Sequence, residues 1–312
     1  KFKLSAFISL LITSIFVGIL AGMPLSQVST SIQQGMGGTL GFVATVVGLG
    51  AIFGQMLESS GGAKSLAHYL LKKFGKSKAS WALMLTGFIV GIPIFLDVGL
   101  IILIPIVYAL TRDTKHSILY YAIPLLAGLA VTHAMVPPTP GPMAVAEILG
   151  VDMGWVVLFG IIIGFPAAII AGPVFGRYIA KKIHIPAPAE LIETNPEIIN
   201  SSQALPSFGI IAIIISAPLL LILMSTFIGV GIKSGALEKN LFTNILTFIG
   251  HPFTALIIAT LMSILLCIKR NMSRQTILDL STKALGPAGI IILITGAGGV
   301  LKQILVDSGI GK

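Results

Sequence analysis

One acidic residue lies inside a hydrophobic stretch of the sequence and could carry a proton. Asp97 occurs in Ile-Pro-Ile-Phe-Leu-Asp-Val-Gly, which ends at Gly99. A charged carboxylate at the centre of a bilayer costs about 2.5–3.5 kcal/mol. Two compatible interpretations offset that cost: burial favours the protonated form, as in a proton carrier, or Asp97 is the N-cap of a helix over residues 98–110.

A second group of polar residues adjoins a dense run of prolines. Thr132 and His133 precede Pro-Pro-Thr-Pro-Gly-Pro at 137–142, which interrupts a helix because each proline lacks a backbone donor. We expect broken backbone surrounded by protein or water, and a helix that restarts at Met143 with its positive dipole end facing the gap. His133 is equally compatible with a structural role. The candidate substrate-binding and coupling residues are Asp97, Gly99, Thr132, His133, Pro137, Pro138, Thr139 and Gly141.

Two weaker candidate sites end hydrophobic stretches, at Ser60-Gly61 and at Ser308-Gly309. Helix C-caps explain these residues adequately, and solute binding is the second interpretation. The sequence contains no metal-ligand spacing, no nucleophile paired with a base, and no phosphate-binding or dinucleotide-binding motif. We therefore predict no metal and no cofactor.

The composition indicates a membrane protein. The 312 residues are 55% hydrophobic and 10% charged, against about 25% charged in a typical globular chain, and the mean hydropathy is +1.01. A soluble enzyme and a disordered chain are excluded, and so is a disulfide scaffold, because Cys267 is the only cysteine. The net charge of +9 indicates cytoplasmic loops rather than nucleic-acid binding, because the basic residues flank hydrophobic stretches.

We predict an all-α polytopic membrane protein with broken transmembrane helices. Transmembrane spans are predicted at 4–22, 39–57, 155–176, 208–231, 252–268 and 286–301. The pattern at 81–110 favours a re-entrant hairpin with its tip near Asp97, because each arm of about 15 residues reaches only ~22 Å of a ~30 Å bilayer core. Two short full crossings would have the same parity and are the alternative. Residues 119–149 predict a broken helix.

Three further segments complete the predicted topology. The uncharged segment 23–38 is expected to be an outward-facing loop. Residues 62–78 predict an amphipathic helix along the inner interface. Residues 183–207 are a polar, proline-rich stretch, which we interpret as a cytoplasmic linker between two halves.

An internal repeat relates the two halves. Residues 48–64 align without gaps on residues 296–312, an offset of 248, with 7 of 17 positions identical. The number of predicted crossings between the copies is odd, so they should enter the membrane from opposite faces. We predict a first repeat at 1–182 and the incomplete start of a second, inverted repeat at 208–312. Inverted-topology repeats are characteristic of secondary transporters.

Three motifs resemble the gluconate permease family of bacterial proton symporters. They are Phe-Leu-Asp-Val-Gly-Leu at 95–100, Thr-His-x-x-x-Pro-Pro-x-Pro-Gly-Pro at 132–142 and Gly-Ala-Gly-Gly-x-x-Lys-Gln at 296–303. The resemblance implies proton-coupled symport of gluconate or a related sugar acid by a multi-pass protein of the cell inner membrane. Many members carry glutamate in place of Asp97, and members extend beyond both ends of this chain, so we expect that this segment alone does not transport. The implied partners are a small anionic substrate, the lipid bilayer and a possible second copy in a homodimer; nucleic acid is not among them.

Several alternatives stay open at the level of sequence. A sodium-coupled carboxylate carrier or a D-serine carrier of the same architecture fits the same residues, because unwound carbonyls can ligate sodium. A channel is a further alternative. A membrane-embedded enzyme could use Asp97 and His133 as acid and base, but the sequence shows no second acidic or nucleophilic cluster, so we predict no enzymatic activity.

Overall fold

The computed structural model describes residues 4–186 and 205–310, and all regular secondary structure in those ranges is helical. The α-helices are α1 (Ala6–Leu20), α2 (Leu25–Ser59), α3 (Gly62–Phe74), α4 (Ala79–Val90), α5 (Leu96–Thr114), α6 (Leu119–Met135), α7 (Pro140–Leu149), α8 (Met153–Ile169), α9 (Phe175–Lys182), α10 (Phe208–Lys233), α11 (Leu241–Ile249), α12 (Pro252–Lys269) and α13 (Arg274–Asp307). A π-helical turn joins α8 to α9, so that Met153–Lys182 is one continuous helix.

Five of these helices are long and apolar enough to cross a membrane: α2, the joined α8–α9, α10, α12 and α13. Helices α1 and α6 are apolar but shorter. Large apolar side chains also cover much of the outer surface, as on the exposed faces of α1 and α10. The chain is therefore an all-α, polytopic membrane protein, as the composition predicts.

The two longest helices, α2 and α13, pack against each other in antiparallel orientation. Near the start of α2, the hydroxyl of Ser31 donates a hydrogen bond to Asp307 at the end of α13. Near the end of α2, Met56 packs with Ile277, close to the start of α13. Between these contacts, Val43 in the middle of α2 lies in one apolar cluster with Ala284 and Ala288 of α13. The antiparallel orientation is the one that an inverted repeat requires.

The repeat offset of 248 also relates the ends of these helices. It maps α2 onto residues 273–307, against the observed bounds Arg274–Asp307 of α13. Both helices end at a serine C-cap followed by a glycine in the left-handed region, Gly61 at φ +80° and Gly309 at φ +77°. The packing has the same symmetry, since α1 packs on α13 while α12 packs on α2. The full division into repeats at 1–182 and 208–312 stays a prediction.

The segment predicted as an outward loop, 23–38, is instead the first part of α2, and that prediction is wrong. One face of this segment packs closely against α13. A Cβ atom at Gly35 would lie 2.7 Å from the carbonyl oxygen of Gly299, so the two backbones touch where neither residue has a side chain. Small residues allow this approach between membrane helices.

The predicted hairpin at 81–110 consists of α4, a turn at 91–95 and α5. The 12 residues of α4 extend about 18 Å at ~1.5 Å per residue, less than the thickness of a bilayer core. The chain then returns to where it began, because Lys76 before α4 forms a salt bridge with Asp113 at the end of α5, at 3.3 Å. The N-cap prediction for Asp97 is wrong: α5 begins at Leu96, its N-cap is Phe95, and Asp97 lies in the first turn.

The predicted broken helix at 119–149 consists of α6 and α7, separated by residues 136–139. Helix α7 restarts at Pro140 rather than at the predicted Met143. A proline at the first position of a helix costs little, because its missing N–H would have no intrahelical partner there. The break is therefore shorter than the number of prolines indicates.

Three other segments refine the predicted topology. The amphipathic helix at 62–78 is present as α3, but Leu66 and Leu70 are buried and Ser65 donates a hydrogen bond to the Pro206 carbonyl at 2.6 Å, so its apolar face contacts protein. Helix α11 follows α10 and is absent from the sequence-based prediction. In the predicted linker 183–207, Ile185 accepts a hydrogen bond from the Ile118 amide, whereas 187–204 lie outside the described residues.

Candidate functional site

Both helix breaks meet on one face of α2, and glycines on that face allow the contact. A Cβ atom at Gly54 would lie 2.1 Å from the carbonyl oxygen of Pro93, so only glycine fits against the α4–α5 turn. Gly50 faces Pro138 of the α6–α7 break, where a Cβ atom would lie at an ordinary contact distance of 3.7 Å. Thr139 lines the same narrow crevice.

Two helix N-termini flank this crevice without side-chain caps. Helix α5 begins after Phe95 and helix α7 after Thr139, and neither side chain accepts a hydrogen bond from the first turn of its helix. The first backbone N–H groups of α5 and the N–H group of Gly141 therefore have no capping side chain as a hydrogen-bond acceptor. Gly141 is exposed, with open space on the side where a Cβ atom would be. Uncapped helix N-termini favour anions.

Asp97 and His133 come together at this place from different helices. The carboxylate of Asp97 is within electrostatic range of the His133 imidazole, and the Phe95 ring contacts that imidazole edge-on at a centroid distance of 5.8 Å. The Nδ1 atom of His133 is buried and has no hydrogen-bond partner. An unpaired buried polar atom is costly, so a hydrogen-bond partner for this nitrogen would be stabilising.

The predicted burial of Asp97 is wrong, because its side chain is exposed. The carboxyl lies on the first turn of α5, on the surface that borders the break rather than inside the packed core.

Thr132 ties α6 to the end of α4, and Thr139 closes the α6–α7 break by a local hydrogen bond. The buried hydroxyl of Thr132 donates to the carbonyl of Phe88, at 2.9 Å. That carbonyl lies in the last turn of α4, where backbone acceptors lack intrahelical partners. The buried Thr139 hydroxyl donates to the Val136 carbonyl, at 2.8 Å. Both hydroxyl protons are thus used within the protein, which leaves the oxygens only as acceptors for a solute.

The remaining predicted residues shape the site by packing. Pro137 and Pro138 are buried, and the peptide bond between them is cis. Gly99 lies against α6, where a Cβ atom would approach Leu129 at 2.9 Å. These residues position the breaks and offer no side-chain donor.

The weaker candidates, Ser60-Gly61 and Ser308-Gly309, are not part of this site. The Ser60 hydroxyl donates to the Leu57 carbonyl, and the Ser308 hydroxyl donates to the Leu305 carbonyl. Each serine is the C-cap of its own long helix, at opposite ends of the antiparallel pair. Their hydrogen bonds agree with the capping interpretation.

The sequence analysis missed a polar group next to the crevice. Gln55, Glu58 and Lys283 line a cavity of about 360 Å³ that also borders Pro93 and Phe95. The Gln55 amide donates to Glu58 at 3.1 Å and to the Ser59 hydroxyl at 3.2 Å. The helical spacing of 51, 54, 55 and 58 could have placed Gln55 and Glu58 on the same face as Gly54, but nothing local to the sequence indicates Lys283.

No group of three or more histidine, cysteine, aspartate or glutamate residues in the described ranges could hold a metal ion. The groups around the crevice are thus one carboxyl, one imidazole and two helix N-termini without side-chain caps. This set can bind a small anion with hydroxyl groups and can exchange a proton.

Comparisons with known proteins agree with this description. The family model described as GntP family permease matches residues 1–312. A gluconate permease of Pseudomonas aeruginosa is 40% identical over 315 residues, covering 100% of this chain and 68% of the relative. A low-affinity gluconate transporter of Escherichia coli K12 is 38% identical with the same coverage. The Gnt-II system L-idonate transporter of that organism is 35% identical, covering 99% of this chain and 69% of the relative.

Proposed function

The chain belongs to the GntP family of permeases, and we propose that it carries gluconate or a related sugar acid across the cell inner membrane together with protons. A permease moves its substrate unchanged, so the chain is not an enzyme that uses Asp97 and His133 as acid and base. The relatives support a sugar acid as the substrate, because they include both gluconate and L-idonate transporters.

One observation carries the proposal: the buried, unpaired Nδ1 of His133 lies beside Asp97 where two uncapped helix N-termini meet. The helix ends favour the carboxylate of the substrate. The imidazole nitrogen offers a hydrogen bond to a substrate hydroxyl, and the oxygens of Thr132 and Thr139 offer further acceptors. A sugar acid carries both groups.

Proton coupling follows from charge. An anionic substrate that approaches Asp97 is repelled by an ionised carboxylate and is accepted when the carboxyl is protonated. Binding of the substrate therefore raises the proton affinity of Asp97, and proton and substrate load together. Release on the other side reverses both steps. No cofactor is needed, because the proton gradient supplies the free energy.

The test is uptake of labelled gluconate by the intact protein in proteoliposomes. A pH gradient alone is expected to drive accumulation, whereas a sodium gradient alone is not. Accumulation with sodium alone would refute proton coupling in favour of the sodium-coupled carboxylate carrier, and uptake of D-serine in place of gluconate would refute the substrate.

The coupling role of Asp97 has its own test. Asp97→Asn is expected to abolish accumulation driven by a pH gradient but to retain counterflow, in which labelled and unlabelled gluconate exchange without net proton movement. Asp97→Glu keeps the carboxyl and is expected to retain both activities, as is Glu147→Gln, which removes an exposed carboxylate from α7. Accumulation by Asp97→Asn at the wild-type level would show that Asp97 is not the coupling group.

Two partners complete the proposal. The exposed apolar side chains of α1 and α10 support direct contact with lipid, and we propose a homodimer in the membrane. The mass of the purified protein in detergent, from light scattering with the detergent contribution subtracted, tests the dimer. A monomer at all protein concentrations would contradict it.

A further inference from the structure

A second polar site adjoins the crevice, in the cavity of about 360 Å³ between α2, the α4–α5 turn and α13. Its volume is within the range of about 300–1,000 Å³ that is typical of small-ligand sites. Most of its lining is apolar, and its polar side chains are Gln55, Glu58 and Lys283. The proposed coupling mechanism uses none of these three residues.

The charged groups of this cavity are not directly paired. The Glu58 carboxylate accepts a hydrogen bond from Gln55 and is attracted by the Lys283 ammonium. Within residues 4–186 and 205–310, however, Lys283 forms no salt bridge. Lys283 is exposed and lines the cavity. An anion that enters the cavity can therefore reach its ammonium group.

Gln55 is oriented by its own hydrogen bonds. Its amide nitrogen donates to Glu58 and to Ser59, which leaves the side-chain oxygen as an acceptor. A ligand that suits the cavity therefore has a negative charge for Lys283 and a hydroxyl for Gln55. Hydroxylated carboxylates have both groups.

We propose that this cavity is a second substrate site, in which Lys283 binds the carboxylate of the permeating sugar acid and Glu58 competes with that carboxylate for the same ammonium. The inference rests on the proposed function, because it takes a hydroxylated carboxylate as the substrate. In this proposal, Lys283 raises the affinity of the cavity for anions and Glu58 lowers it.

Equilibrium binding of labelled gluconate to the purified, intact protein tests this assignment. Lys283→Gln is expected to raise the Kd of the second site about tenfold, the loss expected for one charged hydrogen bond, whereas Lys283→Arg keeps it within threefold. Glu58→Gln is expected to lower the Kd, because the competing carboxylate is gone. The matched control Lys72→Gln removes an exposed charge from α3 and is expected to leave the Kd unchanged.

Two results would overturn the assignment. If Lys283→Gln and Glu58→Gln both raise the Kd by similar factors, the two residues stabilise the fold as a pair and do not compete. If the Kd of the second site in Lys283→Gln is within twofold of wild type, Lys283 does not contact the substrate. Elution of each variant as a single peak in size-exclusion chromatography confirms that it is folded.

A second measurement separates this inference from the proposed function, because it needs no substrate. Ile101 lines the cavity and is 71% exposed, while the native Cys267 is buried. In the variant Ile101→Cys, the introduced thiol can be modified by an anionic or a cationic reagent of equal size. The ratio of the two modification rates reports the charge that an entering solute meets. The ratio of the anionic rate to the cationic rate is expected to fall about tenfold when Lys283→Gln is added. The same ratio is expected to rise when Glu58→Gln is added.

The outcomes are distinguishable. A protein that binds no gluconate but shows these reagent ratios refutes the proposed substrate and supports an anion site at Lys283. A protein that binds gluconate but whose reagent ratio does not respond to Lys283→Gln supports the proposed function and refutes the second site.

Discussion

Replacement of Gly54 by alanine should separate α2 from the α4–α5 turn and disable the site. The added Cβ atom would lie 2.1 Å from the Pro93 carbonyl oxygen, whereas ordinary contact begins at 3.4 Å, so the two backbones must move apart by about 1.3 Å. Overpacking of this kind typically costs about 1–3 kcal/mol. The gain in helix propensity from glycine to alanine, about 1 kcal/mol, offsets only part of this cost.

Gly50→Ala is the matched control, because it changes the same helix by the same methyl group. Its Cβ atom would meet Pro138 at 3.7 Å, an ordinary contact, so we expect unchanged or slightly raised stability. The assay is thermal unfolding in detergent followed by gluconate uptake in proteoliposomes. We expect a lower Tm and at least tenfold slower uptake for Gly54→Ala alone, since a displacement of 1 Å at a binding site can cost about a hundredfold. Equal stability and uptake in both variants would refute the close contact at Pro93.

Three further predictions concern hydrogen bonds that hold the helices together, each measured by thermal unfolding in detergent. Ser31→Ala removes the donor to the carboxylate of Asp307 and should cost about 1.5–3 kcal/mol, whereas Ser29→Ala, an exposed serine on the same helix, should cost under about 0.5 kcal/mol; equal losses would contradict the interhelical bond. Thr132→Val leaves a buried carbonyl of α4 without its donor and should cost about 1–3 kcal/mol, while Thr132→Ser should restore most of the loss. Asp152→Ala removes the N-cap of α8, which also accepts a hydrogen bond from α10, and should cost about 0.5–2 kcal/mol; an unchanged Tm would show that this cap does not contribute to stability.

The predicted repeat shows how far local patterns reach into the fold. Glycine, glutamine and serine in register at an offset of 248 indicated two related helices, and the structure contains two helices of nearly equal length that end in the same cap conformation. The sequence pattern did not reveal that the two copies pack directly on each other. That contact depends on Gly35 and Gly299, which are distant in sequence and unremarkable in a chain with 35 glycines.

The site divides in the same way. The breaks at 91–95 and 136–139 were predictable because proline and glycine act on the backbone locally. Hydropathy located most of the helices because each span must by itself match the bilayer. The role of Thr132 was not predictable, because its partner, the Phe88 carbonyl, is an orphan acceptor only after α4 has ended and α6 has packed beside it.

The sequence by itself determined the class of protein, most of the helical segments and the places where helices break, since each follows from residues that are neighbours along the chain. Only the tertiary structure decided that Asp97 is exposed, that 23–38 is a packed helix, and that Glu58 shares a cavity with Lys283 from the far end of the chain. Exposure and long-range pairing depend on which helix faces come into contact. That choice is a balance of packing and charge over the whole molecule, and no short stretch of residues contains it.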